Sequence, residues 1–153
     1  MREEGTTMSA RTDRDVVDRY ATAMGSGDFS TFFSLLADNV VETYPQSGER
    51  FSGRDNVRAI IEQYPGRKAM PNPAVSELIG VEDRWVTTPM FTTVKIAGGG
   101  EAYTLTARIT YPNQEEWHLV QLLRVSGGRI THMTSYFAAP FEPGDWRNQY
   151  RDS

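Results

Sequence analysis

Cysteine is absent from the 153 residues, which excludes disulfides, thiolate metal sites and a cysteine nucleophile. Histidine is nearly absent as well: there are two, His118 and His132, with no carboxylate at ligand spacing, so no metal site is expected. Positive charge is not in excess. The net charge is −4 and the Lys and Arg residues are scattered, which argues against a surface that tracks phosphates, and no nucleic-acid partner is expected. No apolar run approaches the ~20 residues of a membrane helix. Residues 1–11 are charged and rich in small side chains without a hydrophobic segment, unlike a secretory signal, so a cytoplasmic location with no membrane contact is expected. A glycine-rich nucleotide loop is missing, because glycines 98–100 read as a hairpin turn with no helix after it. No serine sits in a recognisable nucleophile elbow. No cofactor is expected. What the chain does have is 39% hydrophobic and 11% aromatic residues, enough for one globular core and too short for two.

In chain order, residues 1–11 read as a frayed tail, 12–146 as a single domain and 147–153 as a loose polar end. Thr12 and Asp15 have the spacing of a capping box. Val16, Val17, Tyr20, Ala23 and Met24 follow at helical period, and Gly25 and Gly27 stop that helix. Asp28 is placed to cap a second helix whose buried face is Phe29, Phe32, Phe33 and Leu36. A first strand over 39–44 ends at Pro45, and Gln46, Ser47 and Gly48 turn the chain. Ser52 and Asp55 then predict the cap of a third helix carrying Val57, Ile60, Ile61 and Tyr64, closed by Pro65 and Gly66. Residues 67–74 are a proline-rich connector. From residue 75 the pattern changes to strands over 75–81, 85–96, 102–111, 116–125 and 129–137, joined by short turns, hence consecutive antiparallel hairpins. Residues 137–146, aromatic and proline-rich, are expected to pack down. The class is therefore α+β: three N-terminal helices packed in a strongly curved, mainly antiparallel sheet, a cone-like α+β barrel whose open end could admit a ligand.

Strand alternation predicts which side chains face the interior. On 116–125 the odd set is Trp117, Leu119, Gln121, Leu123 and Val125, and the even set His118, Val120, Leu122 and Arg124. Both are largely apolar, which fits a strand covered on two sides, with the pocket on the concave face and a second subunit on the convex face. The uncharged Gln121 suits the concave side, and both histidines face away from it. On the last strand Thr131, Met133, Ser135 and Phe137 share one face.

The order of elements, with VVDRYATAMGSGD, LLADNVVETYPQSGERFSG and the closing SGGRITHMTSYF, resembles the nuclear transport factor two-like superfamily. Within it the chain resembles the SnoaL-like branch, whose members include ketosteroid isomerase, polyketide cyclases and limonene epoxide hydrolase. The resemblance runs from about Asp13 to Phe137. It is specific for fold and weak for chemistry, because this fold hosts enzymes, binding modules and transport factors. Against ketosteroid isomerase, the resemblance puts Tyr20 on the helix tyrosine that donates to the substrate oxyanion. It puts Tyr44 where the isomerase keeps its basic aspartate, Gln121 where it keeps a protonated aspartate, and Met133 on an apolar pocket position. The base and the acid donor are thus both replaced, which disfavours steroid isomerisation itself. The Asp–Arg–Asp constellation of the epoxide hydrolase is not found, and Met133 stands where SnoaL-like cyclases often carry a histidine.

Glu42 is the remaining acid/base candidate. It shares strand parity with Val40 and Tyr44, and a carboxylate among apolar neighbours has its pKa raised toward neutrality. The competing reading leaves it in solvent on an edge strand. Tyr20 is either a pocket donor or a satisfied core tyrosine, and Gln121 either orients a ligand or is a cross-strand amide. Tyr44 lines the wall. Phe32, Phe33, Met70, Met90, Trp117 and Met133 divide between core and wall, with Trp117, Met133 and Phe33 assigned to substrate contact. The expected protein is a homodimer holding a small hydrophobic organic ligand of polyketide or terpenoid kind. It is either a cofactor-free isomerase, cyclase or hydrolase using Glu42 and Tyr20, or a non-catalytic binding or dimerisation module.

Overall fold

The computed structural model describes residues 2–78, 86–87, 93–94, 96–97 and 101–153, with side chains described for 13–68, 70–73 and 101–153. Three helices precede most of a mixed sheet: α1 (Arg2–Ser26), α2 (Phe29–Ser34) and α3 (Arg54–Glu62). The strands are β1 (Leu36–Tyr44), β2 (Glu49–Ser52), β3 (Ala74–Leu78), β4 (Val86–Thr87), β5 (Thr93–Val94), β6 (Ile96–Ala97), β7 (Ala102–Thr110), β8 (Glu116–Ser126) and β9 (Arg129–Ala138). The α+β class expected from the pattern is the one observed.

The apolar stripe of α1 is the reason that helix sits inside. Val16, Val17, Tyr20, Ala23 and Met24 are all buried, and each contributes roughly 25 cal/mol per Å² of apolar surface removed from water. The helix is assigned from Arg2, well before the start expected at Thr12. Asp28 caps α2 as its position predicts: its carboxylate accepts from the Thr31 amide at 3.2 Å and from the Thr31 hydroxyl at 2.7 Å. For α3 the expected Ser52 cap is corrected. The capping residue is Gly53 at φ +92°, and no side chain bonds to the helix start. Ser52 belongs instead to β2, a strand the pattern had not signalled because Phe51 is its sole apolar residue.

β1 pairs antiparallel with β2 and parallel with β9, so β1 is the hinge of the mixed sheet. From it the described order runs β2-β1-β9-β8-β7-β3-β5-β4, with β6 also on β7. β7, β8 and β9 keep close to the expected boundaries. Two glycines at φ +60° and +75°, Gly127 and Gly128, form the tight turn between β8 and β9, where side chains are disfavoured. Most of the two expected strands over 75–81 and 85–96 lies outside the described residues. β3 begins one residue before the first of those ranges, β4 and β5 lie within the second, and β6 runs one residue past its end.

Along β8, burial alternates: Leu119, Gln121, Leu123 and Val125 are buried, while His118, Leu122 and Arg124 are exposed. His132 on β9 is exposed too. Both histidines therefore point away from the interior, as parity predicts. The tail after β9 departs from expectation. Phe141 and Trp146 were expected to pack down, but they are 83% and 70% exposed. Pro140 and Pro143 lack the backbone N–H that would extend β9 and hold the segment to the sheet.

Candidate functional site

Four elements converge on one polar line inside the apolar core. α1 supplies Tyr20, β1 Glu42, β8 Gln121 and β9 Ser135. The convergence follows from period and register: Val40, Glu42 and Tyr44 share a face of β1, Glu42 lies beside Met133 of β9, and Gln121 lies opposite Ser135. Tyr20 is fully buried and stacked on Phe32, with ring centroids 4.6 Å apart.

The hydrogen bonds form an unbranched chain. The Tyr20 hydroxyl donates to Gln121 Oε1 at 2.8 Å, Gln121 Nε2 donates to Ser135 Oγ at 3.0 Å, and the Ser135 hydroxyl donates to Glu42 Oε1 at 2.9 Å. The Tyr20 hydroxyl also lies 3.6 Å from Met133 Sδ, a weak acceptor. Among the described residues, Glu42 Oε2 is the buried side-chain polar atom that has no partner.

Glu42 is 4% exposed, so the solvent-facing alternative for this residue does not hold. Burial pushes its carboxyl up from 4.5 to about 7, against the opposing pull of the Ser135 hydrogen bond. The Tyr20 hydroxyl is held well above the usual phenol range, first by burial and then by the Glu42 charge. The Tyr44 hydroxyl is raised for the same two reasons in the same order. Both phenols therefore stay protonated through the range in which Glu42 titrates.

These side chains line a cavity of about 880 Å³ whose remaining wall is mostly aromatic and aliphatic. Tyr44 packs edge-on against Phe51 and Phe137, with centroids 5.1 Å away in each case. Trp117 lines the cavity, directs its indole N–H to Glu115 at 2.9 Å and meets Tyr111 edge-on. Met133 is buried in the same wall. Besides Glu42, the charged lining residues are Glu49, Glu115 and Arg67, the last with its guanidinium 4.4 Å from the centre of the Phe29 ring.

Phe33 lies elsewhere. It borders a separate groove with Arg54, Asp55 and Glu62, under the Arg58 guanidinium, while Phe29 and Phe32 take the cavity side of α2. On a helix this short, Phe32 and Phe33 are a hundred degrees apart in direction, and the pattern of apolar residues could not say which faced the cavity. The residue that sequence reasoning passed over is Ser135. Its signal was its parity with Met133 and Phe137, but a lone serine on a strand carries no chemical mark until its partners are known.

Among the described residues no group of three or more His, Asp or Glu side chains could hold a metal ion, and no helix is long and apolar enough to cross a membrane.

The family model of the SnoaL-like domain matches residues 17–133. By structure the chain is similar to an NTF-2 like protein of unknown function from Burkholderia xenovorans LB400, at 27% identity and a TM-score of 0.69, over 95% of this chain and 98% of that one. It is similar to a candidate ketosteroid isomerase from Kribbella flavida DSM 17836, at 20% identity and a TM-score of 0.68, over 95% and 91%. A third likeness is to a hypothetical protein of ketosteroid isomerase-like fold from Catenulispora acidiphila DSM 44928, in complex with trimethylamine. There the identity is 16%, the TM-score 0.52 and the coverage 80% and 85%. At these identities the last two show the fold alone. No curated protein matches the chain.

Proposed function

This chain belongs to the SnoaL-like domain family, and we propose that it binds a small hydrophobic organic molecule in the cavity and carries out acid/base chemistry on it through Glu42. The observation that carries the reading is the placement of one carboxyl, buried and titrating near neutrality, in the wall of an otherwise largely apolar cavity. A volume of about 880 Å³ is in the range of small-molecule sites, roughly 300–1,000 Å³. A group with a pKa near the working pH is both sufficiently deprotonated to accept a proton and sufficiently acidic to return it. Isomerisation, cyclisation, dehydration or epoxide opening of a polyketide- or terpenoid-like substrate would each use such a group. Tyr20 and Gln121 would polarise an oxygen of the substrate, and Tyr44, Trp117 and Met133 would shape the wall.

A panel of cyclic enones, epoxides and polyketide-like ketones, followed by absorbance or product chromatography, tests the reading. A turned-over compound should lose roughly 10²–10⁴ in rate with Glu42→Gln while its binding persists, which is the usual worth of a general acid or base. Unchanged turnover in Glu42→Gln would remove Glu42 from the chemistry.

A second reading is a non-catalytic binding module. It is favoured by the Tyr20 hydroxyl, whose proton is already given to Gln121 and is not aimed at the cavity. It predicts that Glu42→Gln alters ligand affinity and nothing else. We further propose a homodimer formed through the sheet face turned away from the cavity, where Leu122 and Tyr136 are 43% and 41% exposed.

A further inference from the structure

The four-residue chain can be satisfied in two opposite directions. In the direction drawn above, each donor points toward Glu42, from Tyr20 through Gln121 and Ser135. Turning the Gln121 amide over exchanges its nitrogen and oxygen at unchanged positions, and the two are not distinguished by heavy-atom geometry. Every donor then points the other way. Glu42 donates to Ser135 Oγ, the Ser135 hydroxyl to Gln121 Oε1, and Gln121 Nε2 to the Tyr20 oxygen. The separations of 2.9, 3.0 and 2.8 Å suit either direction. No proton changes its atom in this reversal. Hydroxyls rotate, one amide turns, and the single proton gained or lost is the one on Glu42.

The charge of Glu42 selects the direction. An ionised Glu42 has no proton to give, so Ser135 must donate to it and Tyr20 must donate to Gln121. A protonated Glu42 in that same direction would keep a buried O–H with no acceptor among the described residues, since Oε2 has no partner there and Oε1 already faces the Ser135 proton. Reversal gives that proton an acceptor and frees the donor at the other end. There the Tyr20 hydroxyl finds Met133 Sδ at 3.6 Å, a poor acceptor, or whatever occupies the cavity.

We propose that Gln121 and Ser135 are positioning residues that report the protonation state of Glu42 to Tyr20, so that Tyr20 offers its proton to the cavity only when Glu42 is protonated. The ligand class follows: a compound with a hydrogen-bond acceptor such as a carbonyl oxygen binds the protonated form, and its binding draws a proton onto Glu42. This rests on the reading of the cavity as a ligand site, but the coupling exists without a ligand. It also joins the two functional readings, because the commitment of Tyr20 to Gln121 belongs to one protonation state.

Among the described residues, the titratable groups facing Glu42 are few. Tyr20 from α1 and Tyr44 from β1 both stay protonated, while β8 and β9 present the uncharged Gln121, Ser135 and Met133. Glu49, Glu115 and Arg67 line the same cavity. Their charges do not enter the chain.

The test is carbon-13 NMR of protein labelled at tyrosine Cζ and glutamate Cδ, with Tyr20 and Glu42 assigned through Tyr20→Phe and Glu42→Gln. The Tyr20 Cζ signal should move with the midpoint of Glu42, at about 7. Ser135→Ala should cut the Tyr20 response to the small through-space effect of the Glu42 charge while Glu42 Cδ continues to titrate, and Ser135→Thr should restore it. Gln121→Met, which breaks the chain at its other link, should reduce it likewise and serves if Ser135→Ala fails to fold. A flat Tyr20 signal in the unmodified protein, or one that follows Glu42 with undiminished amplitude when a link is cut, overturns the proposal. Because no ligand is added, this failure is distinct from failure of the binding reading, which would appear as intact coupling in a cavity that no compound of the panel enters.

Discussion

At the scale of the residue, Glu42 is a carboxyl whose position opposes its charge. In the folded chain it keeps its proton to about pH 7, whereas in the unfolded chain it releases it near 4.5. Between these values the native state binds more protons than the unfolded state, so stability falls as pH rises through the window. The folded-state pKa is the raised one; the contribution is fully present below about pH 4.5 and lost above about pH 7. At 1.36 kcal/mol per unit the loss is on the order of 3 kcal/mol. Denaturant unfolding at several pH values should show this decline, and Glu42→Gln, which has no charge to bury, should flatten it. The parity of β1 made the inward direction of Glu42 legible from the sequence, as the parity of β8 did for Gln121. Ser135 was not legible, because its role consists entirely of the two side chains it joins, 93 residues away in one case and 14 in the other. Phe33 failed for the opposite reason: adjacent phenylalanines on a short helix are equivalent by composition, and packing alone separates them.

At the scale of the element, the parts that read well are those whose ends are written locally. The Asp28 cap of α2 is one, and its bonds to Thr31 are as the spacing predicts. Asp28→Ala should lower stability, read as a shift of the denaturation midpoint to lower denaturant, because it removes the acceptor of the Thr31 amide. Because α2 carries Phe29 and Phe32 into the cavity wall, the same substitution should weaken ligand binding before it unfolds the chain. β2 escaped notice because it is four residues long, mostly polar, and formed by pairing with β1. The Ser52 cap went with it, since a residue engaged in a strand is not free to turn its hydroxyl onto the next helix. The parallel pairing of β1 with β9 joins the two ends of the domain, and no local pattern encodes a partner that distant in the chain. Leu105 on β7 has no exposed surface; Leu105→Ala should cost about 2–5 kcal/mol, the range for buried leucines, with the spread set by how far the site collapses.

At the scale of the whole molecule, helices and sheet line a cavity whose wall is mostly apolar, with one buried chain of polar side chains on it. The sheet face turned the other way exposes Leu122 and Tyr136 beside the half-buried Val120, and the proposal is that a second copy covers it. Light scattering coupled to size exclusion should give twice the mass of the chain, and Leu122→Lys should shift it toward the monomer. A monomer at all concentrations in the unmodified protein would remove this interface. The acid/base role of the cavity requires Glu42 to be a neutral acid at mildly acidic pH and an anion at mildly basic pH. The most direct measurement is the pH titration of its Cδ resonance in glutamate-labelled protein, assigned by its disappearance in Glu42→Gln. The expected midpoint is about 7. A midpoint at the ordinary value of 4.5 would contradict the acid/base role near neutrality.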